Sequence, residues 1–189
     1  MTKYLFLLFI LLPLTISYNR QKAMQYVNKY VKAPNHKCGK NHLTCSPYAY
    51  FGGDYCRYGS HGGDCANFVS QALIAGGHPL LTGGKDYCRG YPCKKEEVGA
   101  MKLDQCLYNK FKWKRTCGKG QAPPSNIRIG DVAVFYSGGC TSGNAHATIV
   151  TSVNGKNVKL SCHSPHVKNV PPSHFTKSKP YISWLHYNG

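Results

Sequence analysis

Apolar positions recur at spacings of three and four after Ser17. Ala23, Tyr26, Val27, Tyr30 and Val31 form one stripe, which predicts a surface helix with a single buried face. Asn19 stands where a side-chain N-cap is needed, and Pro34 helps to end the helix. A second helix is predicted from Asp64, its N-cap, through Phe68, Val69, Ala72 and Leu73 to a Gly76-Gly77 stop. Between the two, Asn35 to Gly63 keep no period and are rich in Gly, Cys, Tyr and polar residues, the pattern of an ordered loop held by Cys38, Cys45 and Cys56. Leu80 to Pro124 read as a Cys-rich basic excursion from the core, with a helix between Glu96 and Phe111. From Ile129 the chain turns β-rich: Asp131–Tyr136, His146–Val153, Asn157–His163 and Tyr181–Tyr187 read as strands of an antiparallel meander, with Asn154-Gly155 as a hairpin-turn signal. Helices first and strands second predict an α+β domain of N-terminal helices packed on a small antiparallel sheet.

The first residues carry a different pattern. Lys3 gives a positive start, Leu5 to Leu14 an apolar core shorter than a membrane-spanning helix needs, and Thr15 with Ser17 a small-residue cleavage site. Residues 1–17 are therefore expected to be a secretory signal peptide. Residues 18–189 fit one domain, and nothing marks a repeat or a linker. A monomer is expected, with no transmembrane segment after cleavage, outside the cell or within a secretory or phagosomal vesicle. All ten cysteines lie in this part, and an oxidising compartment would pair most of them. The count is even, so a thiol kept reduced for chemistry obliges a second cysteine either to stay unpaired as well or to bond to another chain.

Charge narrows the partners. The formal net charge is +17, from 24 Lys and Arg against 7 Asp and Glu, which predicts attraction to polyanions. Residues Lys85 to Lys119 hold much of that excess, and FKWKR (Phe111–Arg115) interleaves aromatic and basic side chains, a pattern of strand-binding grooves but more often of a solvated basic loop, which is the reading taken. The candidates are anionic bacterial walls, acidic membrane surfaces, acidic glycans and nucleic acid, and secretion weighs against the last. No phosphate loop or dinucleotide fingerprint appears, and His61 with Cys65 in HGGDC lacks the further paired ligands that zinc requires, so no cofactor is expected.

The stretch GGDCANFVSQALIAGG (Gly62–Gly77) places Cys65 in the first turn of the second helix. Unsatisfied backbone N–H groups and the helix dipole favour a thiolate there, which is the nucleophilic form of cysteine. His146 opens one strand and His163 ends the next, so a tight hairpin at Asn154-Gly155 would bring them to the same edge of the sheet. That is the pattern of a base and the polar residue that fixes its tautomer.

These segments resemble a family. GGDCANFVSQALIAGG is similar to the nucleophile motif of secreted "putative amidase" domains, relatives of the NlpC-type and CHAP peptidoglycan hydrolases in the papain-like cysteine peptidase superfamily. YNRQKAMQYVNKY (Tyr18–Tyr30), RIGDVAVFY (Arg128–Tyr136), NAHATIVTSV (Asn144–Val153) and SCHSPH (Ser161–His166) resemble the family's opening helix, glycine-aspartate strand, histidine strand and third-residue segment, in that order. Residues 80–124 match poorly. The resemblance implies a papain-like fold, Cys65 as nucleophile, His146 as general base and then acid, and His163 as the residue orienting His146. It also implies an oxyanion hole at the Cys65 N–H, with Tyr55 a candidate side-chain donor and Asp64 the helix cap beside it.

The function expected is a secreted cysteine hydrolase that cleaves amide bonds of bacterial peptidoglycan through an acyl-enzyme. The rival reading is a non-catalytic, disulfide-rich cationic protein that binds walls or membranes on the same scaffold with Cys65 bridged. A protease or acyltransferase acting on proteins would share the same triad.

Overall fold

The computed structural model describes residues 17–32, 65–80, 99–163 and 165–189. The signal-peptide core, the loop at 35–63, Tyr55, His61, Asp64 and Cys38, Cys45, Cys56, Cys88 and Cys93 lie outside these residues.

Helix α1 (Arg20–Tyr30) begins as its sequence requires: Asn19 Oδ1 accepts the Lys22 N–H at 2.9 Å. Its stripe of Ala23, Tyr26, Val27 and the following Val31 is buried. Helix α2 (Cys65–Ala75) is buried from Cys65 to Leu73, polar residues included, because it lies between α1 and the sheet. Asn67 and Gln71 are hydrogen-bonded to each other within it, and the Tyr26 hydroxyl donates to Gln71. The Asn19 N–H donates to Gly76 O at 2.6 Å, joining the start of α1 to the end of α2. A Cβ at Gly76 would lie 2.8 Å from Asn19 O, so this junction has room only for glycine.

The excursion expected at 80–124 contributes part of the fold. Helix α3 (Ala100–Gln105) runs on into a π-helical turn (Cys106–Lys110), and Leu103, Leu107 and Trp113 are buried in the main core. Strand β1 (Lys114–Lys119) then pairs along its whole length with the last strand. Its local sequence, KRTCGK, has no apolar alternation, and the pairing comes from the neighbour rather than from its own pattern.

The sheet holds β1, β2 (Val132–Tyr136), β3 (Ala145–Asn154), β4 (Asn157–Cys162), β5 (Val167–Val170) and β6 (Tyr181–His186) in the order β1-β6-β2-β3-β4-β5, with every pair antiparallel. The meander is real from β2 to β5, and β6 returns to separate β1 from β2. A short helix α4 (Ser173–Thr176) precedes β6. Both faces are covered. Val132, Val134, Tyr136, Ala147, Ile149 and Leu185 pack against the helices, whereas Ala133, Phe135, Val150, Leu160, Cys162 and Trp184 face the other way, under Ile127 and Phe175. The architecture is α+β. One complete disulfide lies among the described residues, Cys117–Cys140, which ties β1 to the turn after β2; Cys106 is also disulfide-bonded. Among the described residues no helix is long and apolar enough to cross a membrane.

Candidate active site

Cys65 is the first residue of α2, so its side chain sits among the N–H groups that the helix cannot satisfy internally. It is outside any disulfide and only 7% exposed. The Ala147 N–H donates to its sulfur at 3.5 Å, so the thiol rests against β3 one residue beyond His146. A sulfur held by a backbone donor at a helix start suits the anionic form that attacks carbonyl carbon.

Cys162 is the other thiol outside any disulfide among the described residues, and it is buried. Of the two alternatives that an even count left once Cys65 stayed a thiol, a second unpaired cysteine or a bond to another chain, Cys162 fits the first. His146 Nε2 lies 3.1 Å from Cys162 Sγ, and its ring packs at 5.1 Å from that of Phe175. Sequence reasoning gave no role to Cys162. The parity of the cysteines was the signal that pointed to such a residue, though not to which one.

His163 is fully buried in a different setting. Its ring stacks on Phe68 of α2 at 4.1 Å and 17°, and on His166 from the other side at 4.2 Å and 16°. Its Nε2 is 3.2 Å from Tyr30 O at the end of α1. The structure therefore brings His163 to the helix face, with Cys65, while His146 lies on the face of Phe135 and Phe175. The two histidines reach the same end of the sheet but not the same side.

A single residue causes this. The turn pairs Asn154 with Asn157, with Gly155 (φ 56°) and Lys156 as its two loop residues. An unbroken ladder from that turn would put His146 and His163 on one face, since opposed residues share a face and the side-chain period is two. Instead β3 carries an extra residue between Val150 and Ser152, so that Ile149 faces Ser161 and Val150 faces Leu160. A β-bulge of this kind exchanges the faces beyond it.

Buried charge elsewhere holds the scaffold. Asp131, directly before β2, accepts from Arg20 (2.6 Å), from His186 Nδ1 (2.7 Å) and from the N–H groups of Arg128 (2.7 Å) and Tyr187 (3.2 Å). Asp104 accepts from Arg115 (3.1 Å) and from the Tyr136 hydroxyl (2.8 Å). Burial first, and then the Asp104 charge, push the Tyr136 phenol well above its ordinary range. Neither carboxylate contacts Cys65, His146 or His163. Among the described residues no group of three or more His, Cys, Asp or Glu side chains is placed to hold a metal ion.

Comparison with known proteins adds two findings. The chain is 29% identical over 178 residues to YjcM, an uncharacterised protein of Bacillus subtilis (strain 168); the match covers 88% of this chain and 36% of that relative, so the chain spans about a third of its length. No solved structure matches. The family described as "Putative amidase domain" matches residues 17–186, which include both helices and every strand that carry Cys65, His146 and His163. The chain belongs to that family, whose description names amide-bond hydrolysis.

Proposed function

We propose that this protein is a secreted cysteine hydrolase of the papain-like type, related to the NlpC and CHAP enzymes, that cleaves amide bonds in bacterial peptidoglycan. The observation that carries the reading is Cys65: a thiol kept out of the disulfides, at the first turn of a buried helix, with its sulfur on the histidine-bearing strand. In a chain where Cys106, Cys117 and Cys140 are oxidised, a reduced cysteine in that place fits a nucleophile better than a staple. The thiolate attacks the amide carbon, the amine leaves with a proton, and water releases the acyl group. Proton transfer falls to the histidines at this end of the sheet, His146 and His163, the pair nominated by motif order. The Cys65 N–H supports the developing oxyanion, with Tyr55 the candidate side-chain donor.

The wall as substrate is supported by charge. A net charge of +17 concentrates the protein on anionic polymers, and that attraction weakens as salt shortens the Debye length from about 10 Å at 0.1 M to about 3 Å at 1 M. The test is to incubate the purified protein with isolated cell walls, beside Cys65→Ala, and to follow turbidity and fragment masses. Muropeptide release by the wild type alone, with a loss of at least about 1,000-fold in the variant, is expected. Equal wall binding by both proteins with no new fragments would leave a cationic wall-binding protein in its place.

A further inference from the structure

We propose that the surface formed by the π-helical turn and the start of β1 binds an acidic glycan. Tyr108 is the platform for a sugar ring, and Lys112 and Lys114 meet the carboxylates of the chain. The inference goes beyond the reading of Cys65 and does not rest on it. Three observations carry it.

The first is a ring held in solvent. Tyr108 is 41% exposed, yet the Arg115 guanidinium lies 3.9 Å from its ring centre. Arg115 is held in turn by the buried Asp104 at 3.1 Å, and Asp104 accepts from the Tyr136 hydroxyl at 2.8 Å. A chain of contacts from the core thus fixes an exposed aromatic side chain, which can stack one flat partner on the face away from Arg115. The second is charge. Asp104 and Asp131 are the only side-chain carboxylates among the described residues, and both are fully buried and paired with arginine. Lys112 and Lys114 stand exposed beside Tyr108 with neither carboxylate in reach. Arg115, whose fork suits phosphate, is committed to Asp104, which leaves two lysine point charges for singly charged groups. The third is shape. These residues line an open concavity of about 620 Å³, in which Asn109 and Thr116 offer an amide and a hydroxyl to sugar hydroxyls. Lys112 adopts the left-handed region (φ 57°), a conformation uncommon for lysine.

FKWKR is therefore not a solvated loop: Trp113 is buried, and Lys114 and Arg115 open β1, which Cys117–Cys140 ties to the turn after β2. Single-stranded nucleic acid stacks successive bases on several exposed rings, whereas here Trp113 and Phe111 turn inward and pack with His78. One platform flanked by hydroxyl and amide groups fits a sugar chain better. Lysines on an edge strand also discourage pairing with another sheet, but that role uses neither Tyr108 nor the arginine stacked on it. β6 and β2 separate β1 from β3, where the Cys65 sulfur rests, so the two strands lie about 14 Å apart at about 4.8 Å per strand. A glycan bound at β1 leaves the thiol clear.

The test is calorimetric binding of oligogalacturonate to the purified protein, beside a neutral maltooligosaccharide, poly(glycerol phosphate) and single-stranded DNA. Four variants are compared with the wild type: Tyr108→Ala, Tyr108→Phe, Lys112→Gln with Lys114→Gln, and, as a control of equal charge, Lys156→Gln with Lys177→Gln, which lie in the β3–β4 turn and after α4. Oligogalacturonate should bind more tightly than the other three probes. Tyr108→Ala should weaken it about tenfold at low and at raised salt, because stacking is not screened, and Tyr108→Phe should stay within about twofold of the wild type. The Lys112 and Lys114 pair should also cost about tenfold near 0.1 M salt, a loss that shrinks towards 1 M, and the control pair should cost less than about twofold. Equal losses in the two lysine pairs would reduce the effect to net charge and overturn the inference. So would unchanged binding in Tyr108→Ala, or a preference for DNA or poly(glycerol phosphate) over the acidic sugar. Should Tyr108→Ala fail to fold, the two lysine pairs decide alone. Binding as expected beside walls left intact would retain the glycan surface and remove the hydrolase reading; walls degraded by a protein that ignores oligogalacturonate would do the reverse.

Discussion

His78 shows how a single side chain is set by what surrounds it. It follows α2 and lies among Tyr18, Phe111, Trp113 and Tyr187, 3% exposed, with Nε2 accepting the Trp113 indole N–H at 3.1 Å. Its other nitrogen, Nδ1, is buried without a hydrogen-bond partner. Burial lowers its pKa from 6.5 to about 4, because the charged ring would have no compensating contact. The native state therefore resists a proton that the unfolded chain takes up below pH 6.5. Stability is complete above that pH and falls as the pH drops towards 4, by on the order of 3 kcal/mol from this residue. His78→Gln should flatten the pH dependence of the melting temperature between pH 6.5 and 4; a slope equal to that of the wild type would assign the acid sensitivity elsewhere. Cys162 belongs to the same scale. Nothing in SCHSPH marks its cysteine as a histidine's partner, since that contact depends on which residue of a neighbouring strand lies beside it.

At the scale of the element, the bulge in β3 decides which histidine meets which face. The Thr151 hydroxyl donates to Asn169 Oδ1 at 2.7 Å and accepts from Ser161 Oγ at 3.2 Å, and Ser161 Oγ accepts the Asn169 N–H at 3.1 Å. Three strands thus meet at the extra residue, with Asn169 in the left-handed region (φ 57°), which asparagine tolerates better than most residues. Thr151→Val keeps the shape and removes the hydroxyl, and should cost about 1–2 kcal/mol in urea unfolding with an unchanged m-value. An unaltered midpoint would mean that the backbone alone holds the bulge. The β-rich stretches, the hairpin and the N-cap of α1 were legible in the sequence because each rests on local chemistry: period, turn glycine and capping side chain. The bulge, β1 and β5 were not. A polar strand such as KRTCGK is made by its partner, and the extra residue in β3 leaves no trace in a run of alternating β-formers.

At the scale of the molecule, Asp131 joins the first helix to the last strand. Arg20 opens α1, His186 closes β6, and both meet one carboxylate with no exposed surface. Removing one member of a buried charged cluster strands the others, so Asp131→Ala should lower stability by about 3–5 kcal/mol and loosen α1 and β6 together. Hydrogen exchange that quickens in α1 but not in β6 would show that the cluster is not shared. The distribution of charge acts at this scale too, through attraction to anionic surfaces rather than through any one contact. By itself the sequence determined the helix that presents Cys65, the four β-rich stretches after Ile129 with their hairpin, the excess of basic charge and the need for a second cysteine outside the chain's own disulfides. These depend on local periodicity, composition and counting. Only the tertiary structure decided that Cys162 is the other thiol among the described residues, that Leu103, Leu107 and Trp113 of the expected excursion complete the core, and that His146 and His163 face opposite sides of the sheet. The physical reason is register: the face of a strand residue is set by its pairing with distant residues, and one extra residue reverses it.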